Sequence, residues 1–167
     1  MTTPDAPGRL GALGPVLEVA DPEEMHALGL SVAELLEAGD VVLLTGDLGA
    51  GKTTFTRGLG EGLGVRGPVT SPTFVLARTH PSLVGGPALV HVDAYRLGSA
   101  LELDDLDIDF ARSVVVVEWG AGLLESLVDS YLSLEIDRPH GAGEAEPDEA
   151  PIEPRTVRIA GHGPRWT

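Results

Sequence analysis

The chain has 167 residues, 43% hydrophobic but only 4% aromatic, which suits a single domain built on one aliphatic core. Its 26 acidic residues outweigh 11 basic ones, and the net charge of −15 argues against unaided binding to nucleic-acid phosphates or anionic membranes. Cysteine and asparagine are absent, which excludes disulfides, thiolate metal sites, thiol nucleophiles and N-glycosylation, and the single lysine is Lys52.

Residues 1–15 are rich in Gly, Pro and Ala, lack the basic start and apolar stretch of a signal peptide, and predict a flexible tail. No apolar run approaches the roughly 20 residues of a membrane-spanning helix, so a soluble, cytoplasmic protein is expected. Val16 to Val19 predicts a short edge strand. Asp21-Pro22-Glu23-Glu24 predicts a helix start, with Asp21 as N-cap, Pro22 in the first turn and Glu24 reaching back; the helix is expected to run through Leu35 and Leu36 and stop at Gly39. Val41 to Thr45, a continuous apolar run with β-branched residues, predicts a strand buried on both faces of a parallel sheet. A loop over residues 46–51 and a helix from about Lys52 to Leu63 follow. Further strands are expected at Thr73 to Arg78, Ala88 to Val92, Val114 to Val117, Tyr131 to Ile136 and Arg155 to Ile159. Leu101, Leu103, Leu106 and Phe110 can share one face of a helix.

This alternation predicts an α/β fold: a single domain with a mostly parallel central sheet flanked by helices, and late strands at one edge. The body spans residues 16–137. Residues 138–154, acidic and rich in Pro and Gly, predict a solvated loop, and residues 155–167 are expected to return a final strand and a C-terminal tail to the same domain.

The sharpest signal is Gly46-Asp47-Leu48-Gly49-Ala50-Gly51-Lys52-Thr53, which fits GxxxxGK(S/T) at the strand-to-helix junction that this phosphate-binding P-loop requires. The glycines let successive N–H groups turn toward phosphate oxygens, and the following helix adds its positive end. Lys52 supplies a compact ammonium to the β- and γ-phosphates, a place where the longer, planar arginine fits poorly, and the Thr53 hydroxyl is a natural Mg²⁺ ligand. Thr54 is a structural residue or a weaker phosphate contact. With no Asn there is no guanine-reading Asn-Lys-x-Asp, and with no Gln there is no Ras-like glutamine, so a regulatory GTPase is disfavoured.

Such a site needs a further acid at the carboxyl end of a neighbouring strand. Glu118, ending Val114 to Val117, is the stronger candidate for Mg²⁺, and Asp93, ending Ala88 to Val92, is the second. Val69-Thr70-Ser71-Pro72-Thr73-Phe74 reads either as a switch, with Ser71 or Thr73 at the metal or the attacking water, or as a turn leading into a strand. Trp119 either covers the nucleotide or packs in the core, and His91 among apolar neighbours reads as a core histidine. Asp104, Asp105, Asp107 and Asp109 read as a solvated helix face or a docking surface.

In order and spacing, the phosphate loop through Thr54, Thr70-Ser71-Pro72-Thr73-Phe74, His91-Val92-Asp93-Ala94-Tyr95-Arg96-Leu97, Glu102-Leu103 and Val117-Glu118-Trp119 resemble the TsaE family. The resemblance covers roughly residues 21 to 136. It implies an ATP-binding, ATP-hydrolysing, Mg²⁺-dependent subunit of tRNA threonylcarbamoyladenosine synthesis. Such a subunit works with TsaB and TsaD, which carry out the transfer to the adenosine beside the anticodon. It further implies Thr53 and Glu118 as Mg²⁺ ligands, residues 46–54 as the phosphate cradle and Ser71 and Thr73 in the switch. Lys52, Asp93 and Glu118 would serve activity, with Trp119 close to the nucleotide and Arg155 near the base. The chain departs from the family pattern at Phe74, where Tyr is commoner, at Gly120, where Pro or Ser is frequent, and at Asp107, where Gly is common. The charge of −15 suits contact with tRNA only through protein partners. Two rival readings are a small-molecule kinase, for which the scattered arginines form no evident lid cluster, and a nucleotide sensor that docks without hydrolysis.

Overall fold

The structure, a computed structural model, describes residues 14–46, 51–67, 77–94, 108–120, 124–137 and 154–166. In chain order the elements are β1 (Val16–Val19), α1 (Pro22–Ala33), β2 (Val41–Gly46), α2 (Lys52–Leu63), β3 (Ala77–His80), β4 (Ala88–Asp93), β5 (Ser113–Glu118), β6 (Tyr131–Asp137) and β7 (Arg155–His162). Among the described residues, these strands form one seven-stranded sheet, in the order β1-β7-β6-β2-β5-β4-β3.

The expected mostly parallel sheet is instead mixed. β6, β2, β5 and β4 run parallel in the middle, whereas β3 pairs antiparallel to β4 on one side, and β7 to β6 and β1 to β7 on the other. The difference has a simple cause. β3 and β4 are joined by a short hairpin, which can only pair strands antiparallel; parallel neighbours require a crossover of a dozen or more residues. β1 lies at the sheet edge as expected, and β7 lies between it and β6.

Burial follows this layout. All six residues of β5 are buried, because this strand is covered on both faces. On one face Val42, Leu44, Leu89, Val114, Val116, Leu132 and Leu134 pack beneath α1 and α2. On the other, Val41, Leu43, Val90, Val92, Val115 and Val117 pack with Leu124, Ile108 and Phe110.

The two helices approach almost backbone to backbone. A Cβ on Gly58 would lie 2.1 Å from the His26 carbonyl oxygen, and one on Gly29 would lie 2.3 Å from that of Phe55, so only glycine permits this spacing. A 2.6 Å contact between His26 Nε2 and Glu61 Oε2 spans the same seam.

The start of α1 matches the expected cap: the Glu24 N–H donates to Asp21 Oδ1 (2.9 Å), and the Ala20 N–H donates to Glu24 Oε2 (2.6 Å). The helix ends at Ala33, earlier than expected. Leu35 and Leu36 continue as turns bonded to the Val32 and Ala33 carbonyls, and still bury their side chains. α2 occupies the expected residues. Of the expected 73–78 strand, residues 73–76 lie outside the described residues, and the observed β3 carries the pairing on to His80. Residues 101–107 of the expected acidic helix also lie outside, while Phe110–Arg112 form one 3₁₀ turn. Among the described residues, no helix is long and apolar enough to cross a membrane.

At the C-terminal end, Arg165 docks on the start of β2. Its Nε donates to Asp40 Oδ1 (2.9 Å), and its Nη2 donates to Asp40 Oδ2 (3.0 Å) and to the Leu35 carbonyl (3.0 Å).

Candidate functional site

Because β2, β4 and β5 are parallel, their carboxyl ends lie at one end of the sheet, where α/β proteins collect ligands. The register aligns Leu44 with Glu118 and Asp93 with Glu118, so the two candidate acids are cross-strand partners. Gly46 closes β2, and Gly51 opens α2 in a left-handed conformation (φ +116°) that disfavours any side chain. A Cβ there would also press on Met25 Cε at 3.1 Å. Gly51 offers no side-chain cap, so the first-turn amides of α2 are not capped by its side chain.

Lys52, the first residue of α2, is buried, with its ammonium at the strand ends. Its Nζ lies 3.5 Å from Glu118 Oε1 and 3.9 Å over the centre of the Trp119 ring. Trp119 has φ +62° and is the only non-glycine residue in the left-handed region among the described residues. A bulky side chain there is a costly conformation.

Glu118 is itself buried, and its second carboxylate oxygen contacts Nε2 of His91, which is wholly buried on β4. Burial pushes the Glu118 pKa up. The His91 hydrogen bond and the attraction of His91 and Lys52 outweigh this and hold it below the ordinary carboxylate value. Glu118 is therefore an anion at neutral pH, and the hydrogen bond runs from His91 Nε2–H to Oε2.

The structure thus brings Lys52, Glu118 and Trp119 together, with Gly46, Gly51, Thr53, Thr54 and Asp93 at the same junction of strand ends and helix start. Asp47, Leu48, Gly49 and Ala50, and likewise Ser71 and Thr73, lie outside the described residues. Arg155 opens β7, whose Val157 aligns with Ile136 and, through it, with Gly46. It therefore stands at the same end of the sheet, about 10 Å across from β2 at the usual strand spacing.

His91 is a core residue, as its apolar neighbours suggest, and it is also a partner of Glu118, which its apolar surroundings in the sequence do not reveal. Alternation along β4 places it inward, but only the register shows that it sits diagonally across from Glu118. Among the described residues, no group of three or more His, Asp or Glu side chains forms a metal cage. The Glu118 carboxylate, with Asp93 across from it and a hydroxyl-bearing helix start beside it, instead fits Mg²⁺, which takes one or two protein oxygens and fills its shell with phosphate and water.

A parallel-stranded centre that turns through glycines into a helix opening on a buried lysine, faced by a strand-end carboxylate, defines an α/β protein with its site at the strand ends. Comparison with known proteins narrows the class. Residues 19–145 match the family described as Threonylcarbamoyl adenosine biosynthesis protein TsaE, and the chain belongs to the TsaE family.

It is 58% identical over 145 residues to the tRNA threonylcarbamoyladenosine biosynthesis protein TsaE of Streptomyces coelicolor, covering 85% of this chain and 93% of that one. The protein of the same description from Mycobacterium tuberculosis is 52% identical over 125 residues, covering 70% and 74%. That from Bacillus subtilis is 40% identical over 129 residues, covering 75% and 77%. Among solved structures, the crystal structure of Bacillus subtilis YdiB superposes with a TM-score of 0.64 at 33% identity, covering 90% of this chain and 87% of that one.

Proposed function

We propose that this chain is the ATP-binding and ATP-hydrolysing subunit of tRNA threonylcarbamoyladenosine synthesis, that it uses Mg²⁺, and that it works in the cytoplasm with TsaB and TsaD. The observation that carries the reading is the buried Lys52 ammonium at the head of α2, set against the Glu118 carboxylate at the end of β5. Family membership supplies the pathway, because the relatives bear the name of that modification. The unit of β2, glycine loop and α2 supports a P-loop fold for the body, residues 16–137 completed by residues 155–167.

In this reading Gly46 to Thr54 cradle the phosphates, and Lys52 neutralises charge developing on the γ-phosphoryl group. Thr53 and Glu118 would hold Mg²⁺, which supplies further neutralisation of the phosphate oxygens when bound. Asp93, the cross-strand partner of Glu118, orients the water or couples the switch residues Ser71 and Thr73 to the metal. Trp119 shields the lysine from solvent, and Arg155 lies toward the base. The net charge of −15 suits a subunit that meets tRNA only through its protein partners.

The test is ATP turnover with and without TsaB and TsaD, beside a GTP control. Stimulation by the partners with preference for ATP is the expected result, and Lys52→Ala should lower the stimulated rate on the order of 100-fold. Normal stimulated turnover by the Lys52→Ala protein, or phosphorylation of a metabolite in place of hydrolysis, overturns the reading.

A further inference from the structure

We propose that His91 is a positioning residue for Glu118: by donating from Nε2 to Oε2 it fixes the carboxylate so that Oε1 faces Lys52 and the metal site. The inference rests on the reading of Glu118 as a Mg²⁺ ligand.

His91 is wholly buried, and Nδ1, its other ring nitrogen, has no hydrogen-bond partner among the described residues. A buried polar atom without a partner costs about 1–3 kcal/mol, so an imidazole used only to fill space here is disfavoured against an apolar side chain of similar size. Among the described residues, the polar contact of the ring is with Glu118. That contact is made from a rigid place: β4 is held between β3 and β5, and His91 aligns with Arg78 on one side and Val116 on the other.

Glu118 has particular need of a fixed partner. Its flexible side chain stands directly across from a second carboxylate, Asp93, on the neighbouring strand. Lys52 reaches Oε1 at 3.5 Å, longer than a close charge-assisted hydrogen bond, and so leaves the carboxylate plane loosely defined. The hydrogen bond from His91 to Oε2 removes that freedom and leaves Oε1 to Lys52. Partners behind a metal-binding carboxylate commonly set ligand orientation in this way.

The experiment uses the full chain and its His91→Leu, His91→Gln and Glu118→Ala variants. ADP binding is titrated calorimetrically against MgCl₂ and in EDTA, and Mn²⁺ binding is followed by electron paramagnetic resonance. The Leu variant should need about 10-fold more Mg²⁺ for its half-maximal effect, with ADP binding in EDTA changed less than about 2-fold. The Gln variant, whose amide nitrogen replaces Nε2 as donor, should recover most of the loss.

A Leu variant that responds to Mg²⁺ as the native chain does, while Glu118→Ala has lost the response, overturns the role of His91 and leaves the metal reading standing. A native response in Glu118→Ala removes the metal reading, and the inference with it. A Gln variant no better than Leu shows that the donor is not what matters and overturns the proposal. Should the Leu variant not fold, the ¹⁵N-imidazole spectrum of the native chain decides: a proton on Nε2 of His91 is expected, and a ring protonated only on Nδ1 overturns the inference.

Discussion

The pairing of Lys52 with Glu118 makes a quantitative prediction about stability. Both groups are buried, so Glu118→Gln leaves an ammonium in a low-dielectric site, and Lys52→Met leaves a carboxylate there. Removing one partner of a buried pair costs about 3–5 kcal/mol when nothing else compensates. Here both groups keep a second partner.

The 3.5 Å separation is longer than that of a close charge-assisted bond, and the Trp119 face still offers the lysine up to about 2 kcal/mol. His91 still serves the carboxylate. Each single variant should therefore lose about 1–3 kcal/mol, and the double variant should lose about 1–2 kcal/mol less than the sum.

Urea denaturation of the four proteins at pH 7 without added nucleotide measures this cycle. Because the Glu118 pKa is depressed in the folded state, its contribution is present above the ordinary carboxylate range and is lost as pH falls through the folded value. Losses that add within about 0.5 kcal/mol would refute the claim that these two side chains interact in the folded protein.

Three further predictions test the frame around the site. Gly58→Ala puts a methyl group 2.1 Å from a backbone oxygen, so α1 and α2 must part; overpacking of about 2–3 kcal/mol against a helix-propensity gain of about 1 leaves a net loss of about 1–2 kcal/mol by urea titration. Arg165→Leu strands the buried Asp40 carboxylate and should cost about 2–4 kcal/mol, with a much smaller loss when Asp40→Asn is already present. His80 is held below its ordinary pKa chiefly by burial, with His91 and Arg78 adding to the effect and a hydrogen bond to the Arg66 backbone opposing it. The unfolded chain therefore binds the proton first, and stability should fall as pH drops through about 6.5 and level off below the folded value; urea midpoints of His80→Gln should show a shallower slope across that window.

Much of the site could be read from the sequence because its parts are local. The apolar run ending in Gly46 folds as β2, and Gly51 and Lys52, close after it in sequence, start α2. Val114 to Val117 reads as a fully buried strand because nothing polar interrupts it, and Glu118 follows at its end.

What escaped the reading depends on register and chain direction. Alternation reports which residues face inward but not whether neighbours run parallel, so the antiparallel flanks were hidden. Leu35 and Leu36 keep helical spacing while being buried as turns, because side-chain burial constrains position and leaves the hydrogen-bond pattern free. The contact of His91 with Glu118 crosses 27 residues, and that of Arg165 with Asp40 crosses 125; no local pattern encodes either.

The outer strands also govern how the chain comes to be folded. Among the described residues, the ladder partner of Val16 to Val19 is β7, with Val16 set against Arg158 far along the chain. Until Arg155 to His162 dock, β1 lacks that partner and β6 presents an open edge beside the completed parallel centre. Contacts of such long sequence separation form late and slowly. The folding chain should therefore pass through a stage with the parallel centre assembled and one flank exposed to wrong partners. Shortening the chain before Arg155 would leave it in that condition, aggregation-prone although every residue of the β2, α2, β4 and β5 site is present.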